Sequence, residues 1–354
     1  MKTANKLVAI AVITCTSIWG CKKEQEEPVE QQPVITSGMI IGCEGAFGMS
    51  NASIHALYED GTTGSEVFRA ANGVGPGDVL QSYREFREKG YVVMNNSQKV
   101  EVVSAPDMQY IASITGVDYP RDVLVLNESV GYISNGSLAG QLITFNPLTN
   151  QVTGAINVGN GPEEIVYNGE YIFVANSGGW DFDNSVSVID PATQQVIATV
   201  EVGDRPVALE VDYQNNVWAL CKGDIVYDGD WQVIDETQAE LIRIDGMQHV
   251  VTATLPIGEV GEHPQFMTAS GDGQTLYIVN NGVVPFNVAT GTLEEMLIQG
   301  EFHSIGVNSE SNELYLSSVP DFVGNDEVYE YTAGGQLNAT YNVGIAPRAF
   351  FYRP

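Results

Sequence analysis

At 354 residues and 38.2 kDa the chain is too long for one small domain, and its 44% apolar content excludes wholesale disorder. Forty-five acidic residues against fifteen basic ones leave a formal charge of -30. Such a surface argues against a nucleic-acid partner and against electrostatic docking on anionic lipid.

Lys2 and Lys6 precede an apolar run over residues 7–13, which continues to Trp19-Gly20-Cys21. A basic start, a short apolar middle and a small residue before the cut predict a signal peptide over residues 1–20. The run is too short for a stable span. Ile18-Trp19-Gly20-Cys21 resembles a bacterial lipobox, which implies cleavage that leaves Cys21 as a lipidated N-terminus. The plainer alternative is an ordinary secreted protein with a chance cysteine. Residues 21–37 then read as a flexible acidic tether, Lys22-Lys23-Glu24-Gln25-Glu26-Glu27-Pro28 followed by Gln and Pro. Its acidic cluster resembles the export signal of Bacteroidetes lipoproteins, which implies an outer-membrane address facing the cell exterior. A polar spacer without address value is the alternative. Cys43 and Cys221 remain in the body and are expected to be small buried hydrophobes rather than a disulfide.

From residue 38 to 354 the pattern is all-β. Residues 39–42, 53–58 and 66–68 predict three strands that lack a fourth. Residues 83–89 look helical in isolation but suit the first strand of a repeat better. The clearest repeat spans residues 171–212: Tyr171-Ile-Phe-Val-Ala-Asn176, Ser185-Val-Ser-Val-Ile-Asp190 and Val196-Ile-Ala-Thr-Val-Glu-Val202, then Gly203-Asp-Arg-Pro206. These are three short strands separated by turn residues. The Val-Gly-x-x-Pro punctuation recurs at Pro162 and Pro347 and, in degenerate form, near Gly77, Pro120, Pro264 and His303. A period in the low forties predicts propeller blades rather than the coils of a β-helix. After Pro347 only one strand's length remains, so it is expected to complete the blade begun at the N-terminus. The result is a seven-bladed β-propeller with four antiparallel strands per blade.

The same residues resemble the YVTN-type propeller repeat of bacterial exported proteins. Together with the lipobox and tether they resemble the propeller lipoproteins of Bacteroidetes that capture corrinoids. That resemblance implies a cell-surface lipoprotein binding a small ligand, a corrinoid (vitamin B12) in its finest form, for delivery to a TonB-dependent outer-membrane transporter. A propeller hydrolase or lactonase, or a protein-interaction or adhesion module, are the alternatives.

In a propeller the loop between second and third strands shares one face with the blade-to-blade connection. Here those loops are long at residues 44–51, 177–184, 222–238 and 318–326, which nominates that face as functional. The loops of blades three and four carry Trp180, Asp181 and Phe182, and Tyr227, Asp230 and Trp231. Aromatics beside acids can stack on a flat ring while carboxylates accept hydrogen bonds; alternatively, both loops fold down and cap neighbouring blades. Phe47 and Phe322 are expected to be structural. The residue after each linking Pro is expected to ring the central channel: Asp78, Arg121, Glu163, Val207, Gln265, Ser304 and Arg348. Of these, Arg121, Glu163 and Arg348 can hold polar groups of a ligand or neutralise one another. Asp224, Asp228 and Asp230 lack the bidentate Glu and central Gly of an EF-hand, and His263 and His303 lack a third ligand in register. No metal, cofactor or catalytic motif is predicted.

Overall fold

The computed structural model describes residues 34–354; the signal peptide, Cys21 and most of the tether lie outside the described residues. Among the described residues seven sheets form the blades, six four-stranded and one five-stranded, and an eighth, two-stranded sheet is an inserted hairpin. Blade one runs Leu80–Phe86, Lys89–Met94, Lys99–Ser104 and Tyr110–Thr115. Blade three, typical of the rest, runs Pro162–Tyr167, Ile172–Asn176, Ser185–Asp190 and Gln195–Glu201. The first strand of each blade touches the first strand of the next. Pro347–Arg353 touches both Ser304–Val307 of blade six and Leu80–Phe86 of blade one, which closes the ring.

The seventh blade is built from both ends of the propeller. Pro347–Arg353 forms its inner strand and pairs antiparallel with Gly38–Cys43, from Gly38 opposite Arg353 to Cys43 opposite Pro347. Ser53–Leu57 and the short Thr63–Gly64 follow outward. The third N-terminal strand expected over residues 66–68 is instead a helix, Val67–Asn72. Its Ala and Arg content favours helix, and the helical turn sends both Val67 and Phe68 into the core between blades seven and one. Burying a side chain of that size contributes about 1.5–3 kcal/mol. Residues 83–89 are strand and turn, as the repeat requires.

Why this sequence makes blades is visible at the turns. Asn146 and Asp190, each closing a third strand, accept backbone N–H bonds two residues on from Leu148 and Ala192, the local turn chemistry of Asn and Asp. Before four of the seven inner strands the chain turns through a left-handed residue, Val79, Gly161, Arg205 or Ala346. In blade three the second and third strands are buried almost throughout, whereas the outer strand Gln195–Glu201 alternates with solvent. Blade five departs from the pattern: its outer strand is split into Thr292–Leu293 and Ile298–Gln299, both pairing with Gly282–Asn287. Pro285 sits opposite the break and accepts from the Glu294 N–H, but it has no N–H of its own to return.

Cys43 and Cys221 are buried and unpaired. Both end a second strand, opposite Pro347 and Pro206 respectively, in blades on opposite sides of the ring. Burial pushes the Cys43 thiol up to about 12 and the Cys221 thiol higher still, so neither is a nucleophile at neutral pH.

Candidate functional site

Five of the inner strands carry a β-bulge immediately after their first residue. Pro120 opposes Asn135 and Val123 opposes Ile133, so Arg121 and Asp122 face a single partner residue. Glu163 and Glu164 do the same in blade three. Gln81, Val207 and Arg348 are single extra residues in blades one, four and seven. A bulge re-aims side chains and commonly does so beside functional sites. Here it turns Gln81, Arg121, Glu163, Val207 and Arg348 into the central channel, joined by Gln265 and Ser304.

This ring is the one expected from sequence with one correction. Asp78 lies outside it, because blade one enters its inner strand at Leu80, three residues later than the Gly77 spacing implies. Its carboxylate instead accepts the Gly48 N–H at 3.0 Å and the Asn96 amide at 2.6 Å, and Gln81 takes its place.

The channel encloses about 270 Å³ and runs from Arg121 and Arg348 at the loop face to Ser309 and Tyr352 at the other. At the mouth Arg121 donates to Glu163 at 2.6 Å and to Gln81 at 3.0 Å. Ser177 donates to the other Glu163 oxygen at 3.0 Å. Arg348 pairs with Glu44 at 3.2 Å and lies over the Phe266 ring, 4.9 Å from its centre. Burial opposes ionisation of Glu44, but His303 and Arg348 outweigh it and hold the carboxyl below its usual range. The rim is therefore a set of matched charges. Lys222, half-buried nearby, has its ammonium pulled down by burial and by Arg205 and Arg121, against the pull of Glu163 and Asp224.

Deeper in the channel, blades one to four supply Arg84, Asp122, Glu164 and Glu210. Asp122 accepts the Ile165 N–H at 3.2 Å, and Glu164 accepts the Leu209 N–H at 2.8 Å. Glu210 is held likewise by Ala269. Each carboxylate thus binds the next blade's inner strand. Arg84 sits 3.5 Å from Asp122 and 3.3 Å from Glu164. Sequence reasoning missed this group, whose only signal was an acid one or three residues beyond the ring position. Burial pushes Glu164 up to about 8 and Glu210 up to about 7, although 28% of the Glu164 side chain is open to the channel.

A carboxyl raised on folding gives stability that is complete below its unfolded pKa and lost as pH rises through its folded one. The melting temperature is therefore expected to fall between about pH 5 and pH 8. The loss is at most about 1.4 kcal/mol per pH unit for each group. Glu164→Gln with Glu210→Gln, which keeps both acceptors, should flatten that slope; an unchanged slope in a pH series of melts would count against the assignment.

The aromatic loops behave differently from a preformed clamp. Trp180 is 89% exposed and Trp231 81%. Trp231 has Tyr227 as its aromatic neighbour, ring centres 6.0 Å apart, and Phe182 lies beneath Arg205 at 5.9 Å. The two tryptophans are not stacked on each other, and neither is folded down onto a blade. Tyr227 and Trp231 stand on an inserted hairpin, Ile225–Tyr227 with Val233–Glu236. Asp181 and Asp230 are exposed beside them. The alternating aspartates have local duties: Asp228 accepts the Asp230 and Gln232 N–H groups, and Asp224 pairs with Arg205. Among the described residues no three His, Cys, Asp or Glu side chains converge as a metal site. His263 donates Nδ1–H to the Lys222 carbonyl at 2.7 Å. With His303 it lines a cleft of about 350 Å³ that shares Gln265 and Phe266 with the channel mouth.

Exposed apolar side chains extend around the same face. Phe47 and Met49 stand in the blade-seven loop, Leu138 in blade two, and Phe322 and Val323 in blade six. Phe47 is exposed rather than the structural residue expected, and Phe322 touches His303 edge-on at 5.3 Å while remaining half open.

The family described as Domain of unknown function (DUF5074) matches residues 37–344. No curated protein sequence matches the chain. Among solved structures, a quinonprotein alcohol dehydrogenase-like protein of Bacteroides thetaiotaomicron is 13% identical with a TM-score of 0.65, over 91% of this chain and 79% of that one. Hydrazine synthase of Kuenenia stuttgartiensis is 14% identical with a TM-score of 0.59, over 74% of this chain and 85% of that one. At such identities the likeness is one of fold.

Proposed function

The chain belongs to the DUF5074 family, a domain of unknown function, and from its own residues we propose a cell-surface lipoprotein that captures a ligand on the loop face of its propeller. The observation that carries this reading is the concentration of exposed aromatic and aliphatic side chains on the loops around the polar channel mouth. Isolated exposed apolar residues need no explanation, but a rim of them on one face marks an interaction surface.

The size of the channel decides how a ligand sits. At about 270 Å³ it falls just below the ~300–1,000 Å³ range of small-molecule pockets. A corrin ring with its amide arms cannot enter it and would lie across the mouth. Trp180, Phe182, Tyr227 and Trp231 then offer apolar contact at the rim, and Arg121, Glu163 and Arg348 offer hydrogen-bonding groups at the centre. In its finer form the ligand is a corrinoid destined for a TonB-dependent transporter. Acidic loops favour a neutral, amide-rich ligand over an anion. We read the protein as a binder rather than an enzyme.

Titration calorimetry with cyanocobalamin, haem and a neutral glycan panel tests the reading. Trp180→Ala and Trp231→Ala should each weaken the bound ligand more than about tenfold, the cost of losing a hot-spot anchor, with unchanged melting. Equal binding by both variants would place the site elsewhere. A second reading, a protein partner docking on the same rim, is favoured by the near-complete exposure of both tryptophans; wild type that binds none of the small molecules would support it. The address rests on Cys21: no helix among the described residues is long and apolar enough to cross a membrane. Cys21→Ala should therefore release the protein from the membrane fraction, and continued sedimentation with membranes would refute the lipid anchor.

A further inference from the structure

The inner wall of the channel has two unlike halves. Blades one to four present Arg84, Asp122, Glu164 and Glu210, whereas blades five to seven present Phe266, Met267, Ile305, Val307, Phe350 and Phe351. Three carboxylates face one guanidinium, so the acidic half is short of positive charge. Asp122 shows where. Its side chain is 4% exposed, and its Oδ2 is spent on the Ile165 N–H. Its Oδ1 is buried without a hydrogen-bond partner, the nearest cation being Arg84 Nε at 3.5 Å. A buried carboxylate oxygen left open costs free energy that a bound donor would recover.

We propose that this channel binds a small organic ammonium ion, its charged end against Asp122, Glu164 and Glu210 and its carbon chain along Phe266, Ile305 and Phe350. The mouth does not offer the same chemistry, because Arg121–Glu163 and Arg348–Glu44 are already matched there. Loop-face capture is a separate matter, since neither tryptophan lines the channel. Size favours an alkylamine over anything larger. The Glu164 and Glu210 carboxylates and the buried charge of Asp122 attract the ammonium ion, and the aromatic wall attracts the cation as well as its chain.

Proton competition follows from the same geometry. The charged groups facing the site are Arg84, Asp122, Glu164 and Glu210, with the two matched pairs at the mouth; blades five and six add no titratable lining group, and blade seven adds only Arg348 and Tyr352. Glu164 and Glu210 hold protons near neutrality, and a bound amine has to displace them.

Titration calorimetry of the full propeller with n-butylammonium, 1-butanol and butyrate tests this. The ammonium ion should bind at one saturable site at about pH 8.5 and at least about tenfold more weakly near pH 6. The alcohol and the carboxylate should not bind. Asp122→Asn and Glu210→Gln, which keep their backbone acceptors, should each weaken the amine about tenfold or more, while Trp231→Ala should leave it unchanged. Equal binding of butanol and butylammonium, or no saturable amine binding at the higher pH, would overturn the proposal. Should either carboxamide variant fail to fold, the comparison of ammonium with alcohol and the pH contrast on the wild-type protein decide alone.

Discussion

Truncation before Pro347 is expected to abolish the folded monomer. The deleted segment is the inner strand of blade seven, and it pairs with Gly38–Cys43 along its length. It also lies against the inner strands of blades six and one, so its loss opens the ring on two sides at once. Ala349 and Phe351 leave the core shared by blades seven and one, and Phe350 and Tyr352 leave the core beside blade six. Gly38–Cys43 would then become an open, fully apolar edge, a template for aggregation. Domains of this kind have about 5–15 kcal/mol of stability in total, a narrow margin against losing a strand that packs on three blades. Size-exclusion chromatography and a circular-dichroism melt check it: the expected result is aggregate without a cooperative transition. A soluble monomer with unchanged melting would contradict ring closure.

Arg353→Met is expected to cost about 3–5 kcal/mol, as for breaking a buried ion pair at one partner. The guanidinium is 12% exposed and grips Glu85 of blade one with two nitrogens, Nε donating at 3.0 Å. It also donates to the carbonyl of Ala105 at 2.8 Å and to that of Ile35. Methionine fills the space but leaves Glu85 without its counter-charge and both carbonyls unmet. Tyr83, which donates to Glu85 at 2.6 Å, cannot neutralise it. The variant should melt well below the wild type, and Arg353→Met with Glu85→Leu should recover much of the loss. A single variant as stable as wild type would show that strand pairing alone holds the closure.

The ring and its closing strand were legible because blades repeat their turn chemistry. Asn and Asp at strand ends, and Val-Gly-x-x-Pro before inner strands, report local backbone geometry that does not depend on distant contacts. The bulges were not legible. Whether Arg121 and Asp122 both face the channel depends on how many residues oppose Asn135 and Ile133, a matter of pairing rather than of composition. Asp78 was placed in the ring instead of Gln81 because the degenerate punctuation at Gly77 hid the later start of the inner strand at Leu80. Residues 66–68 fell to helix because tertiary burial of Val67 and Phe68 between two blades outweighed their strand-like composition. Trp180 and Trp231 were found as loop aromatics, but their separation and exposure follow from the hairpin that lifts Trp231 outward.

Hydrogen–deuterium exchange with and without cyanocobalamin tests loop-face capture most directly, because it reads both faces in one experiment. The account predicts slowed exchange in the loops 177–184 and 222–238 and along the channel mouth near Arg121 and Arg348. The opposite-face turns at Asn127, Asn168 and Asn215 should exchange as in the free protein. Protection confined to those turns, or none anywhere at saturating ligand, would contradict it.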